Sequence, residues 1–151
     1  MSKFQKTTMF LLRVALGCLM FYAGISKVLN PEWSAAGFLN GAETFQGFYS
    51  WLATGSVLPI VDFVNQWALV LLGLSLIFGI FVSLSSYLGS ILMLLYYFPG
   101  LNFPYVEHAF IVEEHIIYIF VMLGFAANKA GRTWGLDAWL AEKGGIFAKL
   151  G

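Results

Sequence analysis

Five ionisable side chains, Glu107, His108, Glu113, Glu114 and His115, stand within nine residues at the head of a run that is otherwise apolar as far as Phe125. Carboxylates beside imidazoles suit proton transfer and hydrogen bonding to a polar ligand, because histidine titrates near neutral pH and each ring nitrogen can donate or accept. At about 100° per residue, Glu107, His108, Ile111, Glu114, His115 and Tyr118 share one face of a helix, while Glu113 falls on another. The expected catalytic group is therefore Glu114, His115 and Tyr118, with Glu113 as an interhelical hydrogen-bonding group. From Phe110 to Phe125, ten Ile, Leu, Val and Phe residues favour membrane insertion by about 3 to 6 kcal/mol in total. Three ionisable groups at about 2.5 to 3.5 kcal/mol each are enough to cancel that gain. The segment needs polar partners or water.

Partners for this stripe are available elsewhere in the chain. Arg13, Lys27, Asn65, Gln66, Glu107 and His108 form the expected ligand-binding set, since ionisable groups inside apolar runs mark polar sites. Arg13 lies about 21 Å along its helix from Lys27, so bonding to helix carbonyls or lipid headgroups is its alternative role. His108 and His115, seven residues and about 10.5 Å apart on one helix, cannot be opposite axial ligands of one haem iron. The single cysteine, Cys18, rules out an intrachain disulfide, a thiolate zinc site and a four-cysteine iron–sulfur cluster. No metal site is expected, His115 with the carboxylates being an unspecific alternative, and electrons must come from a cofactor or partner.

The elements that position these groups are membrane helices. Of 151 residues, 60% are hydrophobic and only 11% charged, and the mean hydropathy is +0.80, far from the composition of soluble domains. Eight basic and eight acidic residues leave no net field to attract nucleic acid. The pattern predicts a single all-α membrane domain, a four-transmembrane-helix bundle with spans of about 7–29, 58–82, 84–98 and 107–127. Its second and third spans are divided at Ser83-Leu84-Ser85-Ser86. A short interfacial helical segment rich in aromatics, split near Gly41, occupies residues 30–56 between helices one and two, and an amphipathic surface tail covers 131–143. The Arg13/Gly17/Gly24/Lys27 face of helix one is expected to meet the acidic stripe of helix four. Lys3 and Lys6 at one end and Lys129, Arg132, Lys143 and Lys149 at the other predict that both termini are cytoplasmic.

Several of these residues fall into a familiar arrangement. Leu12-Arg13, Ala23-Gly24 and Lys27, Ala36-Gly37-Phe38-Leu39, Glu113-Glu114-His115-Ile116-Ile117-Tyr118, Gly131-Arg132 and Trp134-Gly135-Leu136-Asp137 resemble the DoxX/DoxD family of small four-helix membrane proteins. The nearest resemblance is to the membrane subunit of the thiosulfate:quinone oxidoreductase type. One departure is Ala68-Leu69 after Trp67, where many relatives place an acid. The resemblance implies an integral protein of a bacterial or archaeal plasma membrane, working with a protein partner or as a homo-oligomer. It also implies electron transfer to membrane quinone from a small, possibly sulfur-containing, donor or a partner protein. A non-catalytic assembly or scaffold subunit and a small transporter or proton pathway are the alternatives that the same polar stripe allows.

Overall fold

The computed structural model describes residues 1–106 and 109–144. Glu107 and His108, from the expected ligand-binding set, lie outside the described residues.

The first helix, α1 (Lys3–Val28), starts at a capping box in which the Ser2 hydroxyl accepts from Gln5 N–H and the Gln5 side chain accepts from Ser2 N–H. Two short helices follow, α2 (Ala36–Asn40) and α3 (Gln46–Leu52), divided after Gly41. They pack on the bundle end through Leu39, Ala42 and Tyr49, which are buried. Helices α4 (Leu58–Phe78) and α5 (Val82–Tyr97) form a tight hairpin. Three helical segments, Lys3–Val28, Leu58–Phe78 and Val82–Gly100, are long and apolar enough to cross a membrane, which makes the chain an integral membrane protein.

The fourth apolar helix is shorter than the sequence suggests. Helix α6 runs from Glu114 to Ala127, 14 residues or about 21 Å, against about 30 Å of hydrocarbon. Before it, β1 (Leu101–Asn102), β2 (Tyr105–Val106) and β3 (Ala109–Phe110) form a small antiparallel sheet in that order, so the fold is mostly helical but not all-α. Ile111 then takes a positive φ of 58° and Glu113 becomes the extended N-cap of α6. Pairing of backbone groups in this sheet keeps the segment before α6 out of the helix, and Glu113 stays at the helix end as its cap.

The α4–α5 break also differs from expectation. It lies at Gly79-Ile80-Phe81, before the serine cluster: Gly79 caps α4 with φ 69°, and Phe81 precedes α5 with φ 53°. Gly79 takes that conformation without a Cβ penalty. Ser85 is inside α5, where its hydroxyl meets that of Ser75 at 2.6 Å, and Ser75 also donates to Ile80 O. The cap for α5 comes from the C-terminal segment: Asp137 accepts from Phe81 N–H at 2.7 Å and Val82 N–H at 3.0 Å, while its own N–H donates to Gly79 O. Asp137 opens α7 (Leu136–Lys143), which follows a 3-10 turn at Ala130–Arg132.

Helix α1 packs along α4, and α5 along α6, while α4 and α5 meet over a much smaller contact. The small residues of the Arg13/Gly17/Gly24/Lys27 face of α1, Gly17 and Gly24, therefore meet α4 instead of the last helix, while its Lys27 end borders the same cavities as Glu114 and His115. A Cβ at Gly24 would lie 2.6 Å from Val70 N and one at Gly17 2.9 Å from Ile77 N, while one at Gly73 would strike the Phe21 backbone. Leu16, Met20, Leu72, Leu76, Met93 and Met122 fill the space between the two pairs.

Gly24→Val is expected to force the α1–α4 backbones apart and cost about 3 kcal/mol, read as a lowered melting temperature in detergent. Gly124→Ala, with open space around its site, should change it little. Asp137→Ala removes the acceptor of two N–H groups and should cost about 2 kcal/mol or more in the same assay, with Asp137→Asn losing less.

Candidate functional site

At the end of the bundle beneath α2, a cavity of about 290 Å³ is lined by Lys27, Asn65, Tyr96 and His115 and walled by Trp33 and Phe38. Each polar group is delivered by a different helix: Lys27 by the last turn of α1, Asn65 by α4, Tyr96 by α5 and His115 by the first turn of α6. The close α1–α4 approach brings Lys27 Nζ to 3.3 Å from Asn65 Oδ1, to which it donates. Its ammonium also lies 4.9 Å from the Trp33 ring centre and 5.3 Å from that of Tyr96, within cation–π range.

Tyr96 is the junction of the network. Asn65 Nδ2 donates to its hydroxyl oxygen at 2.6 Å and Lys27 Nζ approaches the same oxygen at 3.5 Å. With its oxygen accepting, the phenol keeps its own proton for another partner. The Tyr96 ring also meets His115 edge-on, with 5.6 Å between centroids, and Phe38 likewise at 6.1 Å.

The carboxylate partner of His115 is Glu113, not Glu114. Glu113 Oε1 lies 2.7 Å from His115 Nδ1 and also accepts from His115 N–H, so one side chain caps α6 and engages the imidazole. A helical projection separates Glu113 from His115, but Glu113 precedes the helix in extended geometry and turns back onto it. A carboxylate acceptor at Nδ1 fixes the proton there in the neutral ring and leaves Nε2 as the nitrogen available for exchange.

Glu114, His115 and Tyr118 do come together, around a smaller adjoining cavity of about 210 Å³ that also touches Lys27 and Tyr96. The Glu114 residue itself is exposed. Glu113, Glu114 and His115 bring one ligating atom each within 4.8 Å of one another, although His115 Nδ1 is already engaged by Glu113.

Two members of the expected ligand-binding set lie elsewhere. Arg13 is fully buried toward the opposite end, where Nη2 donates to Thr133 O at 3.3 Å and, more weakly, to Trp134 O at 3.5 Å. It holds the C-terminal segment, the carbonyl-bonding alternative for an arginine this far down the helix. Gln66 is half-buried and does not line the cavity. Trp33 and Tyr96, in contrast, are cavity residues outside the expected set: Trp33 reads as one of the aromatics of the interfacial segment 30–56, and Tyr96 carries no local sign. Asp62 acts on the roof, its Oδ1 accepting from Ala35 N–H at 2.8 Å.

Tyr96→Phe keeps the ring but leaves Asn65 and Lys27 short of an acceptor. It should lower stability by about 1 to 3 kcal/mol in a thermal unfolding assay. Tyr118→Phe should be close to neutral there.

The DoxX family model matches residues 8–101, which span α1 to α5 and include Lys27, Asn65 and Tyr96. No curated protein and no solved structure matches the chain. With well over half of its length matched, the chain belongs to the DoxX family.

Proposed function

We propose that this protein is the quinone-binding membrane subunit of an oxidoreductase, with the Lys27–Asn65–Tyr96–His115 cavity as its headgroup site. The observation that carries this reading is the convergence of two hydrogen-bond donors and one exchangeable imidazole between aromatic walls. The donor set fits a flat ring bearing carbonyl oxygens. Lys27 and the Tyr96 hydroxyl can donate to such oxygens, Trp33 and Phe38 offer ring faces or edges, and His115 Nε2 can deliver or take a proton. Bound quinone would supply the two-electron, two-proton chemistry. Glu113, 2.7 Å from Nδ1, holds His115 in one tautomer. Electrons arrive from a small donor or partner protein, because the chain has one cysteine and no pair to cycle.

In this reading the four long and medium helices form one membrane bundle, with α6 as the fourth member and both termini cytoplasmic. The aromatic α2–α3 layer then lies in the outer interface and the cavity opens near the outer face.

The test is quinone binding by purified protein in nanodiscs, followed by tryptophan quenching and by mass spectrometry of extracted ligand. Lys27→Met and His115→Ala are each expected to weaken binding about tenfold or more, the cost of a lost charged hydrogen bond. Glu113→Ala should resemble His115→Ala, with the double variant little worse than either, whereas Glu114→Ala should be milder. Undiminished binding in both Lys27→Met and His115→Ala would remove the site. No quinone binding by the unaltered protein would favour the assembly-subunit or proton-pathway alternatives.

A further inference from the structure

We infer that the cleft between α4 and α5 takes the hydrocarbon chain of the same ligand, so that the quinone is held by its tail as well as by its headgroup. This rests on the headgroup reading of the Lys27 cavity and extends it to a second, separate surface.

Next to that cavity is an apolar chamber of about 270 Å³ beneath the α2–α3 roof. Leu39, Tyr49, Val64, Leu92 and Leu95 line it, and no charged side chain does. The two spaces share Ala35, Phe38, Asn65 and Tyr96, so these four residues form the boundary between them, with Phe38 and Tyr96 in edge-on contact. Leu92 continues the path downward, since it also lines a third space of about 260 Å³ between α4 and α5 with Ala68, Leu72, Leu88 and Gly89. From Leu95 to Leu88 the path follows α5 for about 10.5 Å.

The cleft follows from the packing. Helices α4 and α5 spend their close contacts on α1 and α6, and Ala68 presents only a methyl group to the space between them, while Gly89 is packed against Met122 and Leu72. Its sides open outward, with Ile60, Val64 and Leu88 all more than half exposed. Its top is closed, because Asp62 holds the start of α2 and the Tyr49 hydroxyl donates to Leu95 O at 3.0 Å. The outlet is therefore lateral and apolar. Each space alone falls just below the range of about 300 to 1,000 Å³ typical of small-molecule sites, while together they fall within it.

A chain in this cleft gains little over one in lipid, since lipid tails are equally apolar. Selectivity would come from shape: a head seated at Lys27 has its chain directed past Phe38 into the cleft, and blocking the cleft should exclude chained ligands only.

The experiment uses full-length protein in nanodiscs and two probes, a tailless benzoquinone and a quinone carrying a diazirine on its first isoprenoid unit. The chained probe should label α4 between residues 60 and 72 and α5 between residues 88 and 96. Leu92→Trp and Val64→Phe should each weaken it about tenfold and leave the tailless quinone within about twofold, which also reports an intact headgroup site. Labelling confined to other faces, or cleft labelling that a diazirine phospholipid reproduces and excess chained quinone does not compete, would overturn the inference and assign the cleft to lipid. So would unchanged chained-quinone binding in both variants. Binding of neither quinone by the unaltered protein would overturn the headgroup reading along with it. Tailless binding with a chain found elsewhere would overturn this inference alone.

Discussion

The close approach of the α1 and α4 backbones is the constraint on which the rest of the structure depends. Between helices in lipid there is no hydrophobic drive, so association relies on packing and on polar contacts. Gly17, Gly24 and Gly73 remove the Cβ atoms that would hold these helices apart. Lys27 lies one turn beyond Gly24, and the short interhelical distance is what lets its ammonium reach Asn65. A wider crossing would leave that lysine without its amide and would detach the Tyr96 oxygen from one of its donors. The polar network is thus a consequence of missing side chains a turn away.

The opposite end is organised by a different means. The C-terminal segment returns to the α4–α5 turn, where Asp137 caps α5 and accepts the hydrogens that the turn leaves unpaired. Arg13 faces the same segment from α1 and binds its carbonyls, with Gly79 and Gly135 giving room for the guanidinium. Two remote pieces of sequence therefore terminate one hairpin. The division of labour is clear in the charges: Arg13 and Asp137 fasten the helices, whereas Lys27 and His115 border open space.

Much of this was legible in the sequence. Apolar runs located the first three long helices, because twenty or so uncharged residues have few other stable fates. Lys27, Asn65 and His115 were identified as site members because polar groups in such runs stand out. Other features depend on information that is not local. The α4–α5 break falls before the serine cluster that looks like one, because Gly79 ends α4 and the group that caps α5 is an aspartate more than fifty residues later. Glu113 reads as an interhelical group on a separate face because a helical projection assumes a helix, and this residue is the last one outside it. Tyr96 carries no sign in its own neighbourhood; its significance comes from Lys27 and Asn65 arriving from other helices.

The brevity of α6 has a consequence for the membrane itself. If α6 crosses the bilayer, as proposed, its length of about 21 Å falls short of a hydrocarbon layer of about 30 Å, and the difference would be absorbed by local thinning of the bilayer or by water drawn in beside the small sheet. That adjustment would fall on the side of the bundle where Glu113 and His115 sit at the head of the helix. Hydrophobic mismatch would then give the imidazole a proton supply without a dedicated channel through the protein: the lipid, drawn thin, brings the aqueous phase down to it.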